Sequence, residues 1–386
     1  MRIINLETDN QFRKLTISPI HFRDLTLLVG ASGVGKTQII KSILDLKRIA
    51  QGKTVNGLTW NVLFQTVKGD SYQWKGTFEN KKGFAEEFSL EHEEDDESQN
   101  NKPSITFEEL FLNEKMIIER DKKGILLNGS PTVKLSPHES VISLLKQESL
   151  IAPAYNDFRK IINSDQSNSM NEPFRLSFFV NTEKLINKYK TLESIQEFNE
   201  DIRIKLFLCY KNQPDTFSKI KNRYTEVFPL VEDIRFAPLD NSIKDVPSFI
   251  KEHPFIQIKE KGISEWIHQG RISSGMFRTL LHISELYLSS KGTIILIDEF
   301  ENSLGVNCID ELTYDLAHGK EKNIQFILTS HHPYIINNID VRNWKIVSRK
   351  AGVINTFDAS DFNIGNSMHD KFIQLINLPQ YSSGTE

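Results

Sequence analysis

The segment "GASGVGKTQI", residues 30–39, decides the fold class of this chain. Gly30, Gly33 and Gly35 allow a tight turn whose backbone N–H groups point inward, and Lys36 follows where its ammonium group can reach the β and γ phosphates of a nucleotide. The pattern predicts a phosphate-binding loop, called Walker A. A glycine-rich turn without a ligand is the alternative interpretation.

The sequence on either side of the loop favours the phosphate-binding interpretation. "LTLLV", residues 25–29, reads as a short buried strand, and "TQIIKSILDLKRIA", residues 37–50, reads as an amphipathic helix. The phosphates would then lie at a helix N-terminus, where the dipole and the unpaired amides favour anions. We therefore expect Ser32 and Gln38 to contact ATP as well, and the Thr37 hydroxyl to bind Mg²⁺.

Bulk composition narrows the class of protein without identifying it. The chain has 386 residues, 39% of them hydrophobic, and a net charge of −4, so the overall charge does not attract nucleic acid or acidic membranes. Cys209 and Cys308 are far apart and lack metal-ligand spacing. No apolar run is long enough to span a bilayer, and "MRIINLETDN" lacks the regions of a signal peptide. We expect a reduced, cytoplasmic setting.

A second nucleotide-binding segment lies far downstream. "TIILIDEFENSLG", residues 293–305, opens with an apolar β-branched run and continues into two carboxylates. This is the Walker B pattern, in which Asp298 would hold the Mg²⁺ shell and Glu299 would be the general base for the attacking water. An ordinary buried strand followed by a charged turn is the alternative. Adjacent acidic residues indicate hydrolysis of the nucleotide.

Two further segments lie near Walker B. "GRISSGMFRTLLHISELYL", residues 270–288, places small residues before a predicted helix, where they form either a second anion site or a simple serine cap. "IQFILTSHHPYIINNI", residues 324–339, reads as a strand that ends near His331 and His332. A histidine at a strand end is usually structural, so its function depends on the order of all four segments.

In that order the four segments resemble the ABC-class, AAA-family P-loop ATPases related to RecF, SMC proteins and the OLD nucleases, many of which occur in bacterial anti-phage systems. The resemblance implies Mg²⁺ and ATP as cofactors and a head-to-tail homodimer or higher homo-oligomer. It also implies that a signature motif contacts the γ phosphate of ATP held by the other protomer, and its residues here are Ser273, Ser274 and Gly275. His331, preferred over His332 by the family pattern, would be the switch histidine that orients water.

The chain departs from this family at the segment after Walker B. It reads "FENSLG", residues 300–305, so that Phe300 replaces a proline and Gly305 replaces a histidine. These departures affect the D-loop of the predicted active site.

The fold class that follows is α/β, a P-loop NTPase of ABC-ATPase type with an antiparallel β layer and a helical insertion. We expect four segments: residues 1–57, the N-terminal core with Walker A; 58–137, the β layer; 138–250, the helical insertion; and 251–386, the C-terminal core.

Other parts of this pattern exclude some relatives. No heptad seam is long enough for a coiled-coil arm, and because roughly 55 residues follow His331 we expect no nuclease domain after the ATPase core. We expect those residues to add edge strands and a terminal helix at "SMHDKFIQLINL", residues 367–378. The acidic run "EHEEDDESQNN", residues 91–101, reads as a solvated loop.

Two functions remain in contention. The first is an ATPase whose ATP-closed dimer controls or scaffolds a separately encoded effector, such as a nuclease, in anti-phage defence. The second is a RecF-like clamp that binds DNA during repair, which basic residues on one face of the dimer would favour. A transporter subunit ranks last, because its two Walker motifs normally lie much closer together.

Overall fold

The computed structural model describes residues 1–82, 102–164, 182–238, 254–302, 313, 323–362, 364–365 and 371–382. Its residues fall into two compact units. The first contains Met1–Ile162, Lys291–Glu299 and Asn323–Glu386, and the second contains Asn163–Ser290 and Phe300–Lys322. Walker A, Walker B and His331 belong to the first unit, whereas the serine-rich segment belongs to the second.

The strands of the described residues are, in chain order, β1 (Arg2–Asn10), β2 (Leu15–His21), β3 (Leu25–Val29), β4 (Leu58–Gln65), β5 (Ser71–Phe78), β6 (Ile105–Leu112), β7 (Lys115–Arg120), β8 (Ile125–Leu127), β9 (Ser130–Pro131), β10 (Ile161–Asn163), β11 (Val231–Ala237), β12 (Phe255–Glu260), β13 (Trp266–His268), β14 (Ile294–Ile297), β15 (Gln325–Thr329), β16 (Trp344–Lys350) and β17 (Val353–Asp358).

The α-helices of the described residues are α1 (Lys36–Ala50), α2 (Val141–Leu144), α3 (Ala152–Arg159), α4 (Thr182–Lys188), α5 (Leu192–Glu197), α6 (Ile202–Asn212), α7 (Pro214–Val227), α8 (Ser274–Leu288), α9 (Pro333–Asn338), α10 (Lys371–Ile376) and α11 (Pro379–Ser382).

The first unit is built on one sheet with the strand order β10-β14-β15-β3-β16-β17-β2-β1-β4-β5-β6-β7-β8-β9. Its first half contains the parallel run β14, β15, β3 and β16, with β15 and β16 on either side of β3. All five residues of β3 are buried, as expected for a parallel strand with neighbours on both sides. The carboxyl ends of β14, β15 and β3 therefore meet at one edge of the sheet.

The prediction that the C-terminal segment adds edge strands is wrong. β16 and β17 form an antiparallel hairpin that lies inside the sheet, because β16 pairs with β3 and β17 pairs with β2. Those residues therefore connect the nucleotide-loop strand to the antiparallel half of the sheet. Of the predicted terminal helix, the described part contains α10 (Lys371–Ile376).

The second half of the sheet is an antiparallel array of β1 and β4 to β9. Aromatic rings fill its core: the ring centroids of Trp60 and Trp74 are 5.1 Å apart, and those of Trp74 and Phe158 are 5.2 Å apart. A Cβ atom at Gly76 would come within 2.2 Å of the Trp60 ring, so this strand position requires glycine. Residues 58–137, predicted as a β layer, contain strands β4 to β9.

A buried carboxylate connects this array to the helices that follow it. Glu108 on β6 accepts hydrogen bonds from Trp74 Nε1 at 2.9 Å, Ser140 Oγ at 2.5 Å, the Val141 amide at 3.0 Å and Arg120 Nη1 at 3.3 Å. Burial raises the pKa of Glu108, although these four donors favour its charged form. The buried polar group is tolerated here because the four donors satisfy its oxygens.

The second unit combines helices with the small antiparallel sheet β11-β12-β13. Helix α8 packs on α6 and α7. Inside the unit, Ser164 Oγ donates to Glu285 Oε2 at 2.6 Å and lies 3.0 Å from His282 Nδ1, while Arg278 Nε donates to His282 Nε2 at 3.2 Å. This buried polar network fixes the orientation of α8, the helix that begins at the serine-rich segment.

Two predicted features fall outside the described residues. They are the acidic run at residues 91–101 and the D-loop positions from 303 onward, including Gly305. Phe300, the residue that replaces a proline there, is buried in the second unit, with its ring centroid 6.0 Å from that of His282.

Candidate functional site

The predicted phosphate loop connects β3 to α1. Gly35 is the N-cap residue of α1 and has a left-handed conformation, with φ at +100°. Two glycines are required by close approach: a Cβ at Gly30 would lie 2.5 Å from the Val347 carbonyl oxygen, and one at Gly35 would lie 2.3 Å from Cδ1 of Ile354. The hairpin formed by β16 and β17 thus packs against the loop and leaves no space for a side chain at these two glycine positions.

Lys36 lies within this loop rather than in solvent. Its side chain is buried, and its Nζ donates hydrogen bonds to the carbonyl oxygens of Gly30 and Ala31, each at 2.8 Å. These contacts hold the ammonium group across the loop, beside the amides at the start of α1. The side chain is therefore already positioned for an anion at the helix N-terminus.

A residue from the neighbouring strand positions the carboxylate of Asp298 and the backbone of Glu299 in the Walker B segment. Thr329, the last residue of β15, donates from its hydroxyl to Oδ1 of Asp298 at 2.6 Å. The same hydroxyl accepts a hydrogen bond from the Glu299 amide at 2.7 Å. Asp298 is half-buried, and Glu299 is exposed.

Glu299 also has an unusual backbone conformation. Its φ is +49°, in the left-handed region that residues with a side chain rarely adopt. Such a conformation costs on the order of 1–3 kcal/mol and persists where surrounding contacts hold it in place. The hydrogen bond from the Glu299 amide to Thr329 is one of those contacts.

These groups surround a single cavity in the first unit. It brings together most of the predicted nucleotide and catalytic residues and adds Thr329 and Arg349. Its lining consists of Ser32, Gly33, Gly35, Lys36, Thr37, Gln38, Asp298, Glu299, Thr329, His331 and Arg349. Gly30 contributes through its carbonyl bond to Lys36.

Of the two adjacent histidines, His331 lines the cavity. His332 is instead the N-cap residue of α9, and its amide donates to Ser330 Oγ at 3.0 Å. This arrangement supports the choice of His331 as the histidine that faces a bound nucleotide.

The oxygen donors of the cavity fit a magnesium ion bound together with nucleotide phosphates. Mg²⁺ is usually held by one or two protein side chains plus phosphate and water, and Thr37 and Asp298 are donors of that type. The described part of the chain contains no group of three or more His, Cys, Asp and Glu side chains that would hold a metal ion without the nucleotide.

The serine-rich segment is described within the second unit. Ser273 is the N-cap residue of α8, and its hydroxyl accepts a hydrogen bond from the Met276 amide at 3.3 Å. Ser273 and Ser274 are exposed, and Gly275 is half-buried. Ser273 therefore caps α8, and the two exposed serines are also accessible to another molecule.

Sequence reasoning missed Thr329 and Arg349. Thr329 immediately precedes the "SHHP" that was selected for its histidine, so its place at a strand end was a usable signal. Arg349 had no local signal, because its proximity to the loop arises from the pairing of β16 with β3, more than 300 positions earlier in the chain.

A family model of known proteins covers most of this chain. The family model described as "AAA domain, putative AbiEii toxin, Type IV TA system" matches residues 25–337. No curated protein sequence matches the chain.

Among solved structures, the SMC head bound to the C-winged helix domain of ScpA superposes with a TM-score of 0.53 at 13% identity, covering 92% of this chain and 97% of that one. The SMC head domain from Thermotoga maritima gives a TM-score of 0.45 at 14% identity, covering 93% and 99%. The first of these establishes the same fold. The predicted P-loop α/β fold of ABC-ATPase type is thus confirmed, as is the resemblance to ATPases related to SMC.

Among the helices described, none is both long and apolar enough to cross a bilayer.

Proposed function

The chain belongs to this family of AAA domains, and on that premise we propose that it binds and hydrolyses ATP as a head-to-tail dimer that controls a separate effector protein. One observation carries the proposal. A single cavity joins the Walker A lysine, the two Walker B carboxylates and His331.

The roles of the cavity residues follow from their chemistry. Loop amides and Lys36 would bind the β and γ phosphates, because charge-assisted hydrogen bonds at a helix N-terminus favour anions. Thr37 and Asp298 would hold Mg²⁺, which neutralises charge that develops on the phosphates. Ser32, Gly33 and Gln38 complete the phosphate contacts.

Hydrolysis requires a positioned base, and Glu299 is the group proposed for it. Its carboxylate is exposed at the rim of the cavity, while its backbone is held by Thr329. It would take a proton from the attacking water, and His331 would orient that water against the γ phosphate. The left-handed backbone of Glu299 supports this role, since strained residues of this kind cluster at active sites.

The dimer proposal rests on the exposed end of α8. Ser273, Ser274 and Gly275 lie at a helix N-terminus that has free access to another molecule, and the γ phosphate in a partner's cavity is the anion that we propose for it. Each complete site would then combine Walker residues from one protomer with the signature from the other.

An effector partner is the final part of the proposal. The SMC head of the same fold is bound to a domain of a different protein, ScpA, and the family description names a toxin of a Type IV TA system. We infer that the ATP-closed dimer likewise binds a separately encoded protein, for which a nuclease acting in anti-phage defence is the leading candidate.

Mixing two inactive variants tests the composite site. Lys36→Ala removes the phosphate-binding ammonium, and Ser273→Asp keeps a helix-capping oxygen but directs a negative charge at the phosphate. Each variant alone should be nearly inactive. In heterodimers one site has both intact surfaces, so activity should recover to at most about half of the wild-type value if the sites act independently.

Ser273→Thr, which keeps the hydroxyl cap, is the matched control and should remain active. Two results would refute the composite site: a fully active Ser273→Asp variant, or no recovery of activity on mixing although light scattering shows that mixed dimers form with ATP.

A further inference from the structure

Arg349 is the cavity residue to which the proposed function assigns no role. It lies near the end of β16, is half-buried and lines the cavity together with Lys36. β16 runs parallel to β3, with Ile346 opposite Val29, the last residue of β3. The residues of β16 beyond Ile346 therefore run beside the phosphate loop, as the approach of Val347 to Gly30 shows.

A hydrogen bond to the turn that follows β16 holds the side chain of Arg349. Its Nε donates to the Ala351 carbonyl oxygen at 3.0 Å, and Ala351 has a left-handed backbone with φ at +53°. Among the described residues, this is the hydrogen bond that the guanidinium makes. Neither of its Nη groups forms a hydrogen bond with a described residue. An arginine held by Nε still offers two Nη groups to a phosphate.

The sheet order indicates which end of a nucleotide Arg349 faces. Asp298 and Glu299 follow β14, and His331 follows β15, so the hydrolytic groups all lie on one side of β3. Arg349 comes from β16, on the opposite side of β3. If the γ phosphate points toward the hydrolytic groups, the α and β phosphates lie nearer to β16.

Charge balance favours a second cation in this cavity. Asp298 and Glu299 outnumber the one ammonium of Lys36, and the phosphates of a nucleotide are themselves negatively charged. Without Arg349 these side chains would carry a net negative formal charge. With Arg349 their formal charges cancel, and the loop amides and the start of α1 favour anion binding.

We propose that Arg349 is a second cationic ligand of the nucleotide, one that binds the α and β phosphates from the β16 side of the loop. This inference rests on the proposed ATP-binding function. It adds that the C-terminal hairpin, and not the Walker segments alone, provides affinity for nucleoside di- and triphosphates.

Affinity measurements on the full chain test the assignment. Displacement of a fluorescent nucleotide would give the Kd of MgATP and of MgADP for the wild type, Arg349→Gln, Arg349→Lys and Lys350→Gln. Lys350 is the exposed neighbour on the same strand, so its variant controls for the loss of one positive charge. The thermal unfolding midpoint of each variant, measured without nucleotide, confirms that it folds.

Arg349→Gln should raise the Kd of both MgATP and MgADP by a similar factor, about tenfold or more, as expected for a lost charge-assisted hydrogen bond. Lys350→Gln should leave both values unchanged. Arg349→Lys should recover part of the affinity, because lysine keeps the charge but not the planar fork.

Two results would overturn the assignment while the proposed function stands. One is unchanged nucleotide affinity in Arg349→Gln, and the other is a loss confined to MgATP, which would move the contact to the γ phosphate. If the wild type itself binds neither nucleotide, the proposed function fails, and the role of Arg349 fails with it.

Discussion

The hydroxyl of Thr329 donates a 2.6 Å hydrogen bond to Oδ1 of Asp298, which joins the ends of two neighbouring parallel strands. The same oxygen accepts the Glu299 amide at 2.7 Å. One hydroxyl thus orients the proposed Mg²⁺ ligand and, at the same time, the backbone of the proposed general base. The geometry of these two proposed hydrolytic residues therefore depends on Thr329, to which we assign no chemical step.

Replacing Thr329 by valine should reduce kcat for ATP hydrolysis by about tenfold or more. The change keeps the shape of the side chain but leaves the Glu299 amide and Asp298 without their shared partner, at a cost of about 1–3 kcal/mol. Thr329→Ser retains the hydroxyl and should keep most of the activity. Steady-state kinetics on both variants checks this, and equal activity in the two would show that the hydroxyl has no positioning role.

Replacing Glu299 by glutamine should slow hydrolysis by ~10² or more, because the base is removed while the shape is kept. MgATP affinity should stay near the wild-type value, and the closed dimer should accumulate, which size-exclusion chromatography with ATP would detect. Glu265→Gln makes the same change at an exposed glutamate outside the cavity and serves as the control. Hydrolysis at the wild-type rate in Glu299→Gln would eliminate Glu299 as the base.

Replacing Lys36 by alanine should weaken MgATP binding by more than about tenfold, since charge-assisted bonds to phosphate are lost. Calorimetry on the variant measures the change. Lys41→Ala removes an exposed lysine from the same helix and should bind as the wild type does. If calorimetry gives the same affinity for Lys36→Ala and the wild type, the loop binds nucleotide without its lysine.

The hairpin beside the loop should make stability depend on pH through Asp358. Lys345, which is buried, donates to the two carboxylate oxygens of Asp358 at 2.7 and 2.8 Å. Burial acts to raise the pKa of Asp358, but the hydrogen bonds and charges of Lys345 and Arg23 together outweigh it, so the net pKa is lowered. Because the folded pKa lies below that of the unfolded chain, about 3.9, the stabilisation is present above about pH 4 and is lost as the pH falls through the folded value.

Asp358→Asn should therefore lower the unfolding midpoint at pH 7 and differ progressively less from the wild type below about pH 4. Thermal unfolding of both proteins across this range measures the difference, and Asp361→Asn, at an exposed carboxylate nearby, provides the control. A difference that stays constant down to pH 3 would mean that the effect comes from the amide and not from the ion pair.

The sequence by itself determined the elements that carry local signals. Glycine spacing, an apolar strand and an amphipathic helix identify the loop from Gly30 to Thr37, because these features depend on residues close together in the chain. The Walker B carboxylates and His331 were identifiable for the same reason, since each follows an apolar run that ends in polar residues. The roles assigned to Glu299, His331 and Ser273 stay predictions.

Tertiary structure decided what depends on strand pairing. The sequence predicted edge strands near the C-terminus, yet the hairpin of β16 and β17 lies beside β3, where its backbone and Ile354 require glycine at two loop positions. The same pairing brings Arg349 to the cavity, and the pairing of β15 with β14 brings Thr329 to Asp298. Local sequence predicts that a segment is a strand, but which strand lies beside it depends on packing between residues hundreds of positions apart.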